Sequence, residues 1–385
     1  MSHPILPGST IGMVGGGQLG RMFSIAAAQM GYRVCVFCER EDEPAAQVAQ
    51  ETVLGRLDDP EQAGKFAAKC DVITLEFENI PTETIATCER FAPTYPSASV
   101  LETAQDRLRE KSTLRNHGLP VTPFTKVNDS DSLRAFARQV DYPVIVKTNR
   151  SGYDGKGQYR LNSDADADLV PWSSVDGWIA EQCIAFDKEI SVVVARTRSG
   201  EQSAFPVFEN DHANHILDLS RCPADVSPDV QREACRIGLA VARAIDLVGL
   251  VCVEFFLQQE RLMINEIAPR PHNSGHLTIE ACATSQFQQH VRAICGLPLG
   301  DTSLVVGGAA MVNLLGDLWQ PATPAWPLSL QIPAVNLHLY GKDRAKVGRK
   351  MGHLTAVAAD VDLAVDHVLQ ARNTLATVAE SMETT

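Results

Sequence analysis

The residues with the most chemistry in them lie between Val251 and His276. The stretch LMINEIAPRPHNSGH, Leu262 to His276, joins a short apolar run to Asn265 and Glu266, then to Arg270, Pro271, His272, Asn273, Ser274 and Gly275. A second apolar run, VCVEFFL (Val251 to Leu257), precedes it across the polar tetrapeptide Gln258 to Arg261, which is the pattern of a β-hairpin. A three-residue loop at Gln259 to Arg261 would set Gln258 opposite Leu262, and counting back along both strands brings Glu254 opposite Glu266. Like charges facing each other on neighbouring strands destabilise a sheet unless a cation lies between them. Hard oxygen ligands at that spacing suit magnesium, which takes one or two carboxylates and completes its shell with water and substrate phosphates. The alternative is a pair of solvated glutamates, but a polar-out face would carry more charges than these two.

A second constellation supplies cations. In YPVIVKTNRSGYDGKGQYRL, Tyr142 to Leu161, an apolar strand ends in Lys147 and runs into a loop of Gly152, Tyr153, Asp154, Gly155, Lys156, Gly157 and Gln158. Three glycines allow the backbone to close over a phosphate chain, and the two lysines offset its charge. The spacing is not the Walker sequence and no helix follows, so the segment reads as a flap over nucleotide phosphates; a plain hairpin loop would need neither lysine. Near the N-terminus, Gly15, Gly17 and Gly20 have the GxGxxG spacing between a strand and a helix, with Glu39 closing the next strand. Alone this is a weak signal, equally a tight turn without a ligand; its physical content is a set of backbone amides at a helix N-terminus. A further strand, Asp71 to Pro81, carries Glu76 and Glu78 at its carboxyl end, where open α/β sheets bind ligands. His212, in ENDHANHIL, is a weaker candidate contact, since a lone histidine is more often structural.

The elements that must hold these residues follow from the remaining pattern. Strand, glycine turn, helix to Gln29, Gly31 stop and second strand make residues 10–40 the start of a small doubly wound unit ending near Pro96 to Leu101. Gln105 to Pro120 reads as a basic amphipathic helix, ordinarily a solvated face. Asp229 to Leu247 reads as another helix, and LTIEACATSQFQQHVRAICG as one amphipathic helix ended by Gly296. Trp178 to Arg196 gives two strands with Glu181 and Glu189 at ends or turns, and the tail holds strands at Gly307 to Leu315 and Val335 to Tyr340, a basic stretch from Gly341 to Leu354, a strand and a last helix.

With 385 residues, 45% hydrophobic and 21% charged, the chain has the composition of a soluble globular protein of two or three domains. No apolar run reaches about eighteen residues and no secretory leader pattern is present, so a cytoplasmic location is expected. A formal net charge of −13 excludes the basic surface that nucleic acid or an anionic membrane requires. Ten cysteines are scattered and are expected to be reduced; Cys35 and Cys38, three apart on a strand, point to opposite faces and do not make a metal pair.

In order, a strand lysine, a glycine-rich lysine flap, an adenine-side strand and two metal carboxylates resemble the ATP-grasp superfamily. Within it, GGGQLGRM (Gly15 to Met22), TLEFEN (Thr74 to Asn79), SGYDGKGQ (Ser151 to Gln158), NEIAPRPHNSGHLTIEAC (Asn265 to Cys282) and YGKDRAKVGRKMGH (Tyr340 to His353) closely resemble the 5-(carboxyamino)imidazole ribonucleotide synthase family. The resemblance implies an α/β (in part α+β) fold: an N-terminal Rossmann-like domain over 1–104, an ATP-grasp domain over 105–300 with its lid at about 122–195, and a small β-rich C-terminal domain over 301–385. It implies an ATP-dependent ligase of de novo purine synthesis that joins bicarbonate to the amine of 5-aminoimidazole ribonucleotide through carboxyphosphate, using Mg2+, as a homodimer.

On matching positions, the resemblance assigns nucleotide contacts to Arg107, Lys147, Gly152 to Gln158, Glu181, Gln182, Cys183, Ile184, Glu189, His212, Asn265 and Glu266, and magnesium to Glu254 and Glu266. It places Gln18, Leu19, Glu76, Tyr153, Asp154, Arg270, His272, Asn273, Ser274, Lys342, Arg349 and Lys350 against the ribonucleotide, with Asp154, Lys156 and Arg270 as catalytic groups. EQCI, Glu181 to Ile184, matches more loosely than the rest. Rival readings are another acyl-phosphate ligase of the superfamily, such as the formate-dependent glycinamide ribonucleotide transformylase or a biotin carboxylase, a nicotinamide dehydrogenase resting on the N-terminal glycines alone, and a nucleotide sensor, which would have lost Glu254 or Glu266.

Overall fold

The computed structural model describes residues 3–150, 157–174, 176–320 and 322–381, with side chains to residue 375. The chain opens with β1 (Thr10–Val14), α1 (Gln18–Gln29), β2 (Arg33–Cys38), β3 (Glu51–Leu54), α2 (Pro60–Ala67) and β4 (Val72–Leu75). These strands form one parallel sheet ordered β3-β2-β1-β4. β1 and β4 are apolar and almost wholly buried, as a sheet covered on both faces demands. Gly31, at φ 83°, ends α1 in the left-handed region that glycine enters without strain. Asp59 caps α2, its carboxylate accepting from the amides of Glu61 and Gln62, with Pro60 in the first turn. The expected strand from Asp71 to Pro81 is shorter than the apolar pattern: it stops at Leu75, and Glu76 and Glu78 sit in the turn beyond it.

Helices α3 (Thr82–Cys88), α4 (Ala98–Ala104) and α5 (Arg107–Asn116) lead to β5 (Phe124–Val127), α6 (Ser130–Val140), β6 (Val144–Thr148), β7 (Gln158–Leu161) and β8 (Trp178–Gln182). The four strands make an antiparallel sheet ordered β5-β8-β6-β7. Arg109, Arg115 and Asn116 on α5 face water, but Glu110 and Lys111 are 3% and 2% exposed, so the reading of that helix as a solvated face is corrected. Glu110 and Lys111 fall on the side of the helix that meets two sheets, and there tertiary partners take the place of solvent.

The third sheet is built from β9 (Lys188–Arg196), β10 (Gln202–Ala204), β11 (Phe208–Ala213), β12 (Ile216–Cys222), α7 (Pro228–Ala244), which packs on it, β13 (Gly249–Gln258) and β14 (Arg261–Ala268). After α8 (Thr278–Ala281) and α9 (Gln286–Cys295) it continues with β15 (Gly308–Leu315), α10 (Trp326–Ser329), β16 (Val335–Leu339) and β17 (Lys350–Ala358), and α11 (Val361–Ser381) covers the last strands. The order is β14-β13-β9-β11-β12-β15-β17-β16, with β10 on β9. Leu219 pairs with Val312, so strands on either side of residue 300 share one sheet. The single helix expected over Leu277 to Gly296 is two: Ser285 forms a reciprocal capping box with Gln288 and restarts the helix. Gly296 ends it at φ 68°. All ten cysteines are free, and no described helix is long and apolar enough to cross a membrane.

Candidate active site

Glu254 and Glu266 are paired across β13 and β14, as expected, but by a different route. The loop has two residues: Gln258 pairs with Arg261, and Gln259 and Glu260 turn the chain at φ 46° and 64°. Positive φ at both positions is the geometry of the tight hairpin turn whose twist matches that of the strands. The register then shifts between Phe255, opposite Ile264, and Glu254, opposite Glu266, leaving Asn265 as the extra residue of a bulge. A loop shorter by one residue and a bulge longer by one restore the pairing that the three-residue loop would have given.

These carboxylates lie in a cavity of about 860 Å³ bounded by the second and third sheets, the start of α1 and the turn after β4. Glu266 reaches solvent inside it, with protein on its remaining sides; enclosure and the adjacent Glu254 raise its pKa. Burial also opposes ionisation of Glu254, but His272, whose Nε2 is 2.9 Å from the Glu254 carboxylate, brings it down to about 2. Two carboxylates held together, one of them pushed toward its neutral form by the other, are a donor set that a divalent cation would relieve. The residues present therefore fit magnesium.

Lys147 on β6 and Glu181 on β8 line the same cavity. Glu181 is the last but one residue of its strand, near the end where it was expected, and is buried. Burial alone would raise its pKa, yet Lys111 and Lys147, at 3.1 and 3.3 Å, hold it near 2. The lining continues through Gln182, Cys183 and Ile184, and past Glu189, whose carboxylate meets His212 Nδ1 at 2.8 Å. That pairing outweighs burial and raises the pKa of His212. Arg107, Gln158 and Asn265 complete this end.

On the far side of Glu254, Arg270 donates to both carboxylate oxygens of Glu78, and His272, Asn273 and Lys350 face the cavity beside Gln18 and Leu19. Burial disfavours a charged guanidinium, but Glu78 holds Arg270 firmly ionised. Four expected residues stand behind this wall. Ser274 is fully buried and hydrogen-bonds His272 Nδ1 and Ser191 Oγ, each at 2.9 Å. Glu76 accepts from the amides of Gly17 and Gly20, the latter at 3.1 Å, so the carboxylate itself occupies the anion-binding end of α1. A side chain at Gly17 would collide with it. Lys342 donates to the Lys350 carbonyl at 2.6 Å, and Arg349 to that of Arg344 at 2.7 Å.

Gly152, Tyr153, Asp154, Gly155 and Lys156 lie outside the described residues, while Gly157 follows them at φ 69°. Two participants escaped the sequence reading. Glu78 was noticed as a strand-end carboxylate but was not assigned to the site, although its partner Arg270 was. Lys111 gave no sign beyond belonging to a basic helix.

The chain matches three family models in succession: the ribonucleotide synthetase preATP-grasp domain over residues 8–105, the ATP-grasp domain over 112–287, and the phosphoribosylaminoimidazole carboxylase C-terminal domain over 309–366. It is 41% identical over 353 residues to the N5-carboxyaminoimidazole ribonucleotide synthase of Bacillus subtilis, covering 91% of this chain and 92% of that one. A bifunctional purine synthesis protein purC/E of Dictyostelium discoideum is 40% identical over 91% of this chain, which spans 37% of that longer protein. Among solved structures, a purK N5-carboxyaminoimidazole ribonucleotide synthetase in complex with ADP superposes at a TM-score of 0.91, with 40% identity and coverage of 97% of this chain and 98% of that one. The Aspergillus clavatus synthase in complex with ADP and 5-aminoimidazole ribonucleotide superposes at 0.87, with 31% identity and coverage of 95% and 98%. The paired carboxylates, the lysine strand and the arginine–histidine wall thus stand in a chain that belongs to the N5-carboxyaminoimidazole ribonucleotide synthase family of ATP-grasp ligases.

Proposed function

We propose that this chain carboxylates the exocyclic amine of 5-aminoimidazole ribonucleotide with bicarbonate, driven by hydrolysis of ATP to ADP and phosphate. One observation carries the reading: a single cavity holds the opposed carboxylates with Lys147 on one side of them and, in contact with Glu254, an Arg270–His272 wall on the other. Two phosphate-bearing substrates can therefore meet beside the carboxylate pair in one enclosure. Bound between Glu254 and Glu266, magnesium would neutralise phosphate charge. Lys147 orients the phosphate chain, and bicarbonate attacks the γ-phosphorus to give carboxyphosphate and ADP. The amine then takes the carboxyl carbon, phosphate leaves, and the amine proton passes to a base, for which Asp154 is the candidate. Carboxyphosphate is short-lived in water, which is the chemical reason for a closed site.

The ribonucleotide is read against Arg270, His272 and Asn273, with its 5′-phosphate toward Lys342, Arg349 and Lys350. The division of the chain near residues 104 and 300, the homodimer and the cytoplasmic location belong to the same reading, supported by the family resemblance. Phosphate release from MgATP should require both bicarbonate and aminoimidazole ribonucleotide for full rate. Release independent of the ribonucleotide, or dependent on formate, would point to another ligase of the superfamily.

A further inference from the structure

Lys111 is the most deeply buried cation among the described residues, and nothing in the reaction just described uses it. Its Nζ donates to Thr122 Oγ1 at 2.7 Å and to the Asn265 carbonyl at 2.8 Å, and lies 3.1 Å from Glu181 Oε2. Thr122 in turn donates to the same Glu181 oxygen at 3.2 Å. Three donors and three acceptors leave the ammonium satisfied. The partners belong to three places: the segment entering β5, strand β8 of the lid sheet, and the bulge beside Glu266 on β14.

Glu181 lies between two cations of unequal position. Lys111 approaches one oxygen from behind the cavity wall, and Lys147 approaches the other from within the cavity at 3.3 Å. A buried carboxylate requires one full counter-charge. With Lys111 in place that requirement is met from behind. The charge of Lys147, which also acts on Glu266, is then left to face a ligand. Without Lys111, Lys147 would be the sole ion-pair partner of Glu181, and an approaching phosphate would meet a neutral pair.

We infer that Lys111 is a positioning residue for nucleotide phosphates: by pairing with Glu181 from behind, it leaves Lys147 directed toward the cavity, and its bond to the Asn265 carbonyl fixes the metal-side bulge to the same point. The inference rests on the reading that nucleotide phosphates lie between Lys147 and the carboxylate hairpin.

The test is calorimetric binding of ADP and of adenosine, in magnesium, to the full chain and to K111M, E181Q and K111M/E181Q. K111M should bind ADP about tenfold to a hundredfold more weakly, the loss of one charge-assisted contact, with adenosine affinity unchanged. The double variant, in which both buried charges are gone, should bind ADP within about threefold of E181Q, because the demand on Lys147 has been removed along with its relief. Should K111M fail to fold, that second comparison decides alone. Wild-type ADP affinity in folded K111M, an equal loss for adenosine, or a double variant tenfold weaker than E181Q would each overturn the inference. ADP that fails to bind the wild-type chain would instead overturn the nucleotide site on which it rests.

Discussion

Individual side chains set the reaction's electrostatics, and two of them give direct tests. Enclosure and Glu254 disfavour charge on Glu266, a cost that a bound cation would offset. Glu266→Gln should therefore abolish phosphate release at limiting magnesium without lowering the urea midpoint, since a ligand and a like-charge repulsion are lost and no cavity opens. Near-normal turnover in that variant would rule out the metal assignment. Lys342 offers a pH test. Burial, then Arg349, lowers its pKa to about 8 against the pull of Glu76. The group is charged below that pH and neutral above it, so a phosphate-binding role requires kcat/KM for the ribonucleotide to fall as pH rises through about 8. Free-enzyme groups govern this parameter. Lys342→Arg should remove the inflection, and an unchanged profile would place the phosphate elsewhere.

At the scale of elements, the β13–β14 hairpin decides which residues face each other. Its turn uses Gln259 and Glu260 at positive φ, a conformation costing non-glycine residues roughly 1–2 kcal/mol each. Glu260→Gly should stabilise the fold by up to about 1 kcal/mol in chemical denaturation and leave the magnesium dependence of turnover unaltered, because the bulge at Asn265 lies five residues away in sequence. A loss of stability would mean that the turn is relaxed as it stands. The pairing of Glu254 with Glu266 was legible in the apolar runs, yet the loop length and the bulge were not. Gln-Glu carries no turn signature, and a bulge leaves no periodic trace when a shorter loop cancels it.

For the molecule as a whole, the last strands are tied back to the first sheet. Tyr340, 1% exposed, packs in one cluster with Phe23 of α1 and Phe287 of α9, and its hydroxyl meets His353 Nδ1 at 2.9 Å. Beside it, Gln47 donates to the Gly341 carbonyl at 2.7 Å. Tyr340→Ala should cost about 3–5 kcal/mol, the range for emptying an aromatic core site. It should also raise KM for the ribonucleotide more than KM for ATP, since Lys342 and Lys350 hang from this anchor and Lys147 does not. Equal effects on both constants would show that the anchor serves stability alone.

By itself the sequence determined the identities that chemistry requires: two carboxylates on one hairpin, a lysine at a strand end, and the block from Asn265 to His276 that carries the family. Local rules suffice there, because alternation, glycine conformation and turn spacing act over a few residues. Tertiary structure alone decided that Lys111 is buried against Glu181 and the Asn265 carbonyl, 154 residues away in sequence. It also decided that Glu78 clamps Arg270 across 192 residues, and that Glu76 fills the amide pocket a ligand was offered. Each depends on a charge leaving water for a partner on a distant element. Burial turns such a contact from optional to required, and which elements will bury it is a property of the packing of sheets and helices that no local pattern carries.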